Sequence, residues 1–274
     1  MNRDRQPEMP PILDVRPEGA FLSRHRAGAA NIPLEELADR VHELPPPHVS
    51  LIVYDEDRRR ARWAQSRLRA RERAVAQVVS GEEWLCGGPI EAGPSTARLW
   101  RPHALIKEAV ELACRLRPAL EGRRALDIAC GSGREAVFLA MQGFQTEAVD
   151  VLPDALDRCA DLAKRQGVTV DVRCHDVEAE PFIERDRYDL ICCFNFLHRP
   201  LMPIIADAVR PGGLVVYETF LREQRERFGR PLRDSHVLET GELPKWFPGW
   251  ETLAFREGMT EPGRIVASLI ARKR

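Results

Sequence analysis

Short apolar runs alternate with segments of helical spacing along the second half of the chain. Five of these runs predict strands: ALDIA (125–129), QTEAVDV (145–151), TVDVRCH (169–175), DLICCFN (189–195) and GLVVYETF (213–220). The segments between them, such as DALDRCADLAKRQ, predict helices, so we expect a doubly wound α/β sheet. WETLAFREGM and GRIVASLIARKR then predict a C-terminal antiparallel hairpin.

The first half shows the same alternation in a shorter form. Three runs predict strands: ILDV, VSLIVY and AVAQVV. Two segments have helical spacing: LEELADRVHEL (34–44) and RRARWAQSRLRA (59–70). The order β, α, β, α, β predicts a small parallel α/β sheet. Glycines and prolines gather in residues 87–97 and predict a linker, so we expect one domain over residues 1–92 and a second over 93–274.

One segment of the second domain carries the pattern of a nucleotide-cofactor site, RALDIACGSGREAVFLA (124–140). Asp127 lies near the end of the predicted strand, and Gly131 and Gly133 allow the backbone to approach a ligand closely. The helix that follows directs its unpaired N–H groups at that ligand. Asp150 ends the next apolar run, where it is positioned to accept hydrogen bonds from ribose hydroxyls.

These two motifs resemble the first two of the class I S-adenosylmethionine (SAM)-dependent methyltransferases. The similarity continues through VRCHDVEAEPF, YDLICCFNFLHRPL and VRPGGLVVYETF, and the forms DIACGSGR and ETFLREQRERFGRP are most similar to the tellurite-resistance type. The resemblance implies a Rossmann-like seven-stranded domain with SAM as its cofactor. The cofactor-binding residues that it implies are Asp127, Ala129, Gly131, Gly133, Arg134, Asp150, Val151, Asp176, Val177 and Asn195.

A dinucleotide-binding domain is the competing interpretation, because GSGREA also fits the pattern Gly-x-Gly-x-x-Ala. Three features favour SAM. Asp127 lies inside the strand, where it could meet the cofactor's amino group; the glycines do not directly follow the strand; and the chain ends in a predicted hairpin. A SAM-like fold without catalysis is the third interpretation.

Residues 8–92 resemble a rhodanese homology domain through ILDVRP, RHRAGAANIPLEEL and GEEWLCGGP. In active members of that family, the strand equivalent to LIVY leads into a cysteine, whose thiolate carries the sulfur. Here Asp55 stands at that position, and Cys86, the domain's one cysteine, lies in a different segment. We therefore expect a small α/β domain without sulfurtransferase activity.

Composition and charge limit the classes of partner. The chain has 274 residues, 44 % of them hydrophobic and 30 % charged, and its net charge is −1, which gives no overall field to attract nucleic acid. Arg58–Arg73 contains eight arginines against Glu72 and the adjoining Asp57. This segment predicts either a solvated helix or a basic surface for RNA or an acidic protein.

Targeting and cysteine patterns predict a reduced, cytoplasmic protein. No apolar run approaches the roughly 20 residues of a membrane helix, so we expect no membrane contact, and the first ten residues lack the apolar core of a signal peptide. Seven cysteines without a Cys-x-x-Cys spacing indicate free thiols and no metal site.

Two residues and one segment are candidates for the acceptor side of the predicted enzyme. His198 and Glu218 are candidate catalytic residues, and the segment 221–243 is long enough to cover a pocket. The loop FNFLHRP lacks the Asn/Asp-Pro-Pro-aromatic string of amino methyltransferases, so a small thiol or chalcogen acceptor is expected. The alternative is a macromolecular methyltransferase, acting on RNA or protein, whose first domain docks the target.

Overall fold

The computed structural model describes residues 9–116, 122–180, 183–260 and 263–274. The chain divides into two compact units, Met1–Arg101 and Pro102–Arg274. This division lies beyond the linker boundary predicted from glycine and proline content, because Leu99 is buried in the core of the first unit and Ala97 packs against that core.

The first unit is a small parallel α/β sheet, as predicted. Its elements are β1 (Ile12–Asp14), α1 (Glu18–Ser23), β2 (His25–Arg26), β3 (Ala29–Asn31), β4 (Leu51–Asp55), α2 (Arg58–Arg69), β5 (Val75–Ser80), α3 (Glu82–Cys86) and β6 (Ile90–Glu91). Four strands pair in parallel in the order β3-β1-β4-β5, and β2 pairs with β6 antiparallel. Helix α2 buries Ala61, Ala64 and Leu68, the stripe that its spacing predicts.

The prediction of an α-helix over residues 34–44 is wrong. Consecutive turns and a 3-10 helix at Val41–Glu43 occupy this stretch. Leu44 is extended (ψ 155°), as expected for a residue that precedes proline. Leu34 and Leu37 are buried nevertheless, so consecutive turns bury the apolar residues that the spacing assigned to one face of a helix.

The second unit is the predicted doubly wound sheet with a terminal hairpin. Its elements are α4 (Ala104–Leu116), β7 (Arg124–Ile128), α5 (Arg134–Met141), β8 (Gln145–Asp150), α6 (Pro153–Arg165), β9 (Val170–Cys174), β10 (Tyr188–Phe194), α7 (Met202–Ala208), β11 (Val209–Phe220), α8 (Arg222–Phe228), β12 (Glu251–Thr260) and β13 (Arg264–Arg272). The strand order is β12-β13-β11-β10-β7-β8-β9, and in this described sheet β13 alone runs in the direction opposite to the other six strands.

Apolar residues on both faces of the central strands explain why the sheet is covered on both sides. In β10, Ile191 and Cys193 belong to one buried cluster, whereas Leu190 and Cys192 belong to another. The chain winds in opposite directions from β7, towards β8 and β9 on one side and β10 and β11 on the other. Ligands of such sheets bind outside the carboxyl ends of the strands where this reversal occurs. In the part of the chain that the structure describes, no helix is both long and apolar enough to cross a membrane.

Candidate functional site

The loop between β7 and α5 adopts a backbone conformation that few residues tolerate. Ala129, Gly131 and Gly133 have φ angles of 55°, 54° and 72°. At Gly133 the restriction is also steric, since a Cβ atom would lie 2.1 Å from Sγ of Cys159 on α6. The loop therefore packs directly on α6 and leads into the first turn of α5, whose backbone N–H groups have no partner within the helix.

Asp127 holds this loop from beneath. Its side chain is 2 % exposed; Oδ2 accepts the N–H of Ala136 in α5 (3.1 Å), and Oδ1 accepts the Cys192 thiol (3.4 Å). Burial raises the pKa of the Asp127 carboxyl well above its usual value. Because the Asp127 side chain is almost fully buried, its role in the structure is to hold the loop. Its contact with the cofactor's amino group stays a prediction.

Asp150 at the end of β8 ties the loop to the neighbouring strand. Its Oδ2 accepts the N–H of Gly131 (2.8 Å), and Oδ1 accepts the N–H of Leu152 (3.0 Å). A carboxylate has about four acceptor positions, so two backbone donors leave capacity for hydroxyl donors of a ligand.

A cleft of about 330 Å³ opens beside this loop at the carboxyl ends of β7, β8 and β9. Its lining residues are Ala129, Val149, Asp150, Val151, His175, Asp176, Val177, Glu178 and Phe196. Five of the ten predicted cofactor residues line it: Ala129, Asp150, Val151, Asp176 and Val177. Apolar walls with acids at one side suit a nucleoside, whose ring has apolar faces and whose ribose donates hydrogen bonds.

A second cavity, of about 430 Å³, lies at the opposite edge of the same strands. Gln145 and Arg124, the first residues of β8 and β7, line it together with Thr169. Because sheets of this kind bind ligands at the carboxyl ends, the smaller cleft is the better candidate.

The other predicted cofactor residues surround the cleft without lining it. Gly131 and Gly133 form the loop, and Arg134 is the first residue of α5. Asn195 follows β10 with φ 59°, and its Oδ1 accepts a hydrogen bond from Arg264.

Glu218 on β11 lies in a closed polar cluster at the carboxyl ends of β10 and β11. Its Oε1 is 2.9 Å from Nε2 of His103, and its Oε2 accepts the Ser268 hydroxyl at 2.6 Å. Burial opposes ionisation, but the hydrogen bonds from His103 and Ser268 outweigh it and lower the pKa of Glu218. The partners of Glu218 in the structure are therefore a histidine and a serine.

His103 is a residue of this cluster that sequence reasoning missed. Its Nδ1 accepts the N–H of Leu105 (3.2 Å) at the start of α4, and its ring stacks on Phe194 with centroids 4.6 Å apart. The available signal was its position after Pro102 and directly before a helix, where capping side chains are placed.

His198 lies in a different place, in the loop after β10. Its Nδ1 is 4.0 Å from Oε2 of Glu178, one of the residues that line the cleft. The two candidate catalytic residues, His198 and Glu218, therefore have different partners and form no pair.

The segment predicted to cover the pocket is fixed to the body of the unit. Leu238 and Leu243 are fully buried, and Leu238 bridges to Leu221 at the end of β11. Arg199, in the loop after β10, donates to the carbonyl of Val237 (2.8 Å) and to Glu242 (2.7 Å). The segment is therefore a packed wall beside the carboxyl ends of β10 and β11.

Asp55, which we expect to stand in place of the family's cysteine, is held inside the first unit. Asp55 ends β4, is 3 % exposed, and accepts the N–H of Asp57 (2.9 Å) and the guanidinium of Arg60 (3.0 Å). Cys86 lies at the exposed end of α3, and its hydrogen bond to Glu82 raises the pKa of the thiol. A reactive cysteine needs the opposite shift. Within the described ranges, no three potential ligands are grouped as a metal site.

Comparison with known proteins assigns both units to families. Residues 125–213 match the methyltransferase domain, and residues 2–82 match the rhodanese-like domain. The chain is 30 % identical to hemagglutinin 1 of Eikenella corrodens over 57 % of this chain and 51 % of that protein. It therefore spans about half the length of that relative.

A second relative is the ubiquinone biosynthesis O-methyltransferase of Burkholderia multivorans, which is 34 % identical over 54 % of this chain and 68 % of its own length. Among solved structures, TehB from Haemophilus influenzae is similar with a TM-score of 0.49 and 21 % identity, over 61 % of this chain and 62 % of that one. With the domain match and the O-methyltransferase relative, the chain belongs to the SAM-dependent methyltransferases with a Rossmann-like fold and carries an N-terminal rhodanese-like domain.

Proposed function

We propose that this protein transfers the methyl group of SAM to a small acceptor bound at the carboxyl ends of β10 and β11. The observation that carries the proposal is the cleft beside the Gly131–Gly133 loop, with acids at the ends of two neighbouring strands. SAM supplies an electrophilic methyl group on a positively charged sulfur. The protein holds the two reactants in line, and such positioning replaces a large part of the entropic barrier.

The residues of the cleft fit the cofactor of the family. In our proposal Asp150 accepts hydrogen bonds from the ribose, and Asp176 faces the edge of the adenine. Val151, Val177 and Phe196 cover the faces of the adenine.

The methionine end of the cofactor would lie along the glycine-rich loop. The left-handed backbone at Gly131 and Gly133 lets that loop approach a ligand closely. Arg134 begins α5 and makes no hydrogen bond or ion pair with the described residues, so it remains available to a carboxylate.

The hydrogen bonds near the acceptor support a soft nucleophile. Both ring nitrogens of His103 and both carboxylate oxygens of Glu218 have partners within the described cluster, so neither group is poised to take a proton. An acceptor that ionises readily, such as a thiol or a reduced chalcogen species, needs no such base. A hydroxyl acceptor would need one, and His198 is then the remaining candidate among the residues predicted.

Turnover of radiolabelled SAM by the full chain tests the acceptor class. We expect methylation of small thiols, selenide or telluride, and none of catechol, RNA or protein. His198→Ala should leave thiol methylation within about twofold, since no base is required. Methylation of catechol that His198→Ala abolishes would instead establish a hydroxyl acceptor.

We further propose that the rhodanese-like unit is not a sulfurtransferase and that the protein is cytoplasmic. The buried Asp55 has no sulfur to carry, and the thiol of Cys86 is not activated. All seven cysteines are free thiols, which fits a reducing compartment. A thiosulfate–cyanide assay should give no thiocyanate above background. Thiocyanate formation that Cys86→Ser abolishes would refute this.

The exposed arginines on and after α2 favour a macromolecular acceptor as the second candidate, although Arg60 and Arg67 of this segment have partners. Arg60 pairs with Asp55 and Glu35, and Arg67 donates to the Leu34 carbonyl. The exposed arginines of this segment are Arg58, Arg59, Arg62, Arg69 and Arg71. Trp63, 55 % exposed, lies among them beneath the guanidinium of Arg67 (4.5 Å).

Such a basic face with one aromatic residue is complementary to a polyanion such as RNA. The double charge reversal Arg62→Glu and Arg69→Glu should leave small-thiol turnover unchanged in the full chain. Loss of RNA or protein methylation in that variant, with no thiol activity in the wild type, would favour the macromolecular acceptor.

A further inference from the structure

Arg264 places a positive charge beside the proposed acceptor site. It is the first residue of β13, is only partly exposed, and lies with its guanidinium carbon 4.9 Å from the centre of the Phe220 ring at the end of β11. It donates to Oδ1 of Asn195, which directly follows β10 and directly precedes Phe196 of the cofactor cleft. The guanidinium therefore lies at the carboxyl ends of β10 and β11.

The charge of Arg264 has no counter-ion among the described residues. The acid that acts on it electrostatically, Glu218, has its oxygens engaged by His103 and Ser268. Burial lowers the pKa of the Arg264 guanidinium, and the attraction of Glu218 only partly opposes this. A partly buried charge without a counter-ion is costly, and groups with such perturbed charges cluster at functional sites.

Other arginines of the same hairpin are paired. Arg256 on β12 lies 2.7 Å from Glu108, and Arg272 on β13 lies 2.6 Å from Glu251. Arg272 is partly exposed, as Arg264 is, yet it has a carboxylate partner, so Arg264 differs from both in having no counter-ion among the described residues.

The contacts of Arg264 also fix its orientation and leave donors unused. A guanidinium has five N–H donors in a planar fork. In the described contacts, one donor of Arg264 binds Asn195, and one face of its guanidinium packs on the Phe220 ring. Asn195 holds its position with a left-handed backbone (φ 59°), which asparagine tolerates better than most residues. A guanidinium held in this way is suited to a planar oxyanion, which it binds through two parallel hydrogen bonds.

We propose that Arg264 binds an oxyanion on the methyl acceptor, such as a carboxylate, and so selects anionic acceptors. The inference rests on the proposed function, because it assumes that the acceptor occupies the carboxyl ends of β10 and β11. Arg264 acts as a specificity residue, and Asn195 positions its guanidinium.

The alternative ligand for Arg264 is the carboxylate of the cofactor. Arg134 at the glycine-rich loop is a separate cation with no described partner, and we assign that role to it. The affinity of Arg264 variants for SAM separates the two assignments.

The first experiment compares two thiols of similar shape, 2-mercaptobenzoate and benzenethiol, as acceptors for the full chain. Arg264→Gln should raise KM for 2-mercaptobenzoate about 10- to 100-fold, the effect of one lost charge-assisted contact, and change KM for benzenethiol less than about threefold. Arg264→Lys should recover part of the loss. Arg256→Gln, the matched control on the same hairpin, should change neither. Equal effects on both thiols would show a structural role for Arg264 and overturn the proposal.

The second experiment does not depend on turnover. Calorimetry measures binding of benzoate to the full chain saturated with S-adenosylhomocysteine, and separately the affinity for SAM. We expect benzoate to bind the wild type and the Arg256→Gln variant. Arg264→Gln should lower the affinity for benzoate at least tenfold and should leave the affinity for SAM within about twofold of the wild type.

Two results would overturn the inference. One is benzoate binding that is absent in the wild type or unaffected by Arg264→Gln. The other is a loss of SAM affinity in Arg264→Gln, which would assign Arg264 to the cofactor. If benzoate binds as expected but neither thiol is methylated, the anion site stands and the proposed soft acceptor fails.

Discussion

Replacing Gly133 by alanine tests whether the glycine-rich loop is built as the structure shows. The change adds one methyl group at a residue with φ 72°, and that methyl group would lie 2.1 Å from Sγ and 2.7 Å from Cβ of Cys159. Real Cβ atoms do not approach other atoms so closely, so either the loop or α6 must move. Gly131→Ala is the matched control, because its φ is also left-handed (54°) but its added Cβ meets no atom within 4 Å.

The expected magnitudes follow from these two geometries. The left-handed backbone costs a non-glycine residue about 1–2 kcal/mol at either position. The overlap with Cys159 adds about 1–3 kcal/mol at Gly133 alone. A loss of 1 kcal/mol lowers Tm by about 2–4 °C for a unit of this size. We therefore expect Tm to fall by about 2–8 °C in Gly131→Ala and by about 4–20 °C in Gly133→Ala.

Thermal unfolding followed by circular dichroism measures the Tm of both variants. The transition of the second unit is the one whose Tm rises when SAM is added. Cys159→Ala should restore part of the stability of Gly133→Ala, because it removes the closer of the two contacts. Equal losses in Gly131→Ala and Gly133→Ala, with no recovery from Cys159→Ala, would refute the close packing of the loop on α6.

Three further predictions concern other parts of the molecule. Because the pKa of Glu218 is lowered in the folded protein, its contribution to stability is present above the usual glutamate pKa and is lost as pH falls through the lowered value. Urea unfolding should therefore show a lower free energy of unfolding for Glu218→Gln than for the wild type at pH 7, and this difference should shrink below about pH 4. A difference that does not change with pH would contradict this. Asp127→Ala should destabilise the protein more than Asp127→Asn, because asparagine keeps an oxygen to accept the Ala136 N–H; equal Tm values would contradict this. Arg199→Ala should make the segment 221–243 more sensitive to limited proteolysis, whereas Arg210→Ala, which breaks a pair with Asp189 outside that segment, should not.

The sequence predicted the second unit well because its elements are long and apolar. Seven strands, their carboxyl-edge acids and the terminal hairpin follow from runs such as QTEAVD and RIVASLIAR, which are buried on at least one face. The first unit is less regular. The segment 34–44 has helical spacing, yet the prolines that follow disfavour a helical backbone at Leu44, and turns with one 3-10 helix form instead.

The site depends on pairings that local spacing does not contain. Asp127 and Cys192 meet because β7 and β10 are neighbours in the sheet, and Glu218 meets His103 across more than one hundred residues. The lack of a counter-ion at Arg264 is visible only once its neighbours are known, since the other arginines of the hairpin, Arg256 and Arg272, have carboxylate partners.

The central claim is that the cleft at the ends of β7, β8 and β9 binds SAM. Isothermal titration calorimetry of the full chain with SAM, S-adenosylhomocysteine and NAD tests it most directly, with Asp150→Ala as the site variant and Asp157→Ala, exposed on α6, as the control. The account predicts binding of SAM and S-adenosylhomocysteine, no binding of NAD, and a loss of at least tenfold in SAM affinity for Asp150→Ala alone, about the energy of one hydrogen bond to a charged group. Binding of NAD without SAM, or a SAM affinity that Asp150→Ala leaves unchanged, would contradict it.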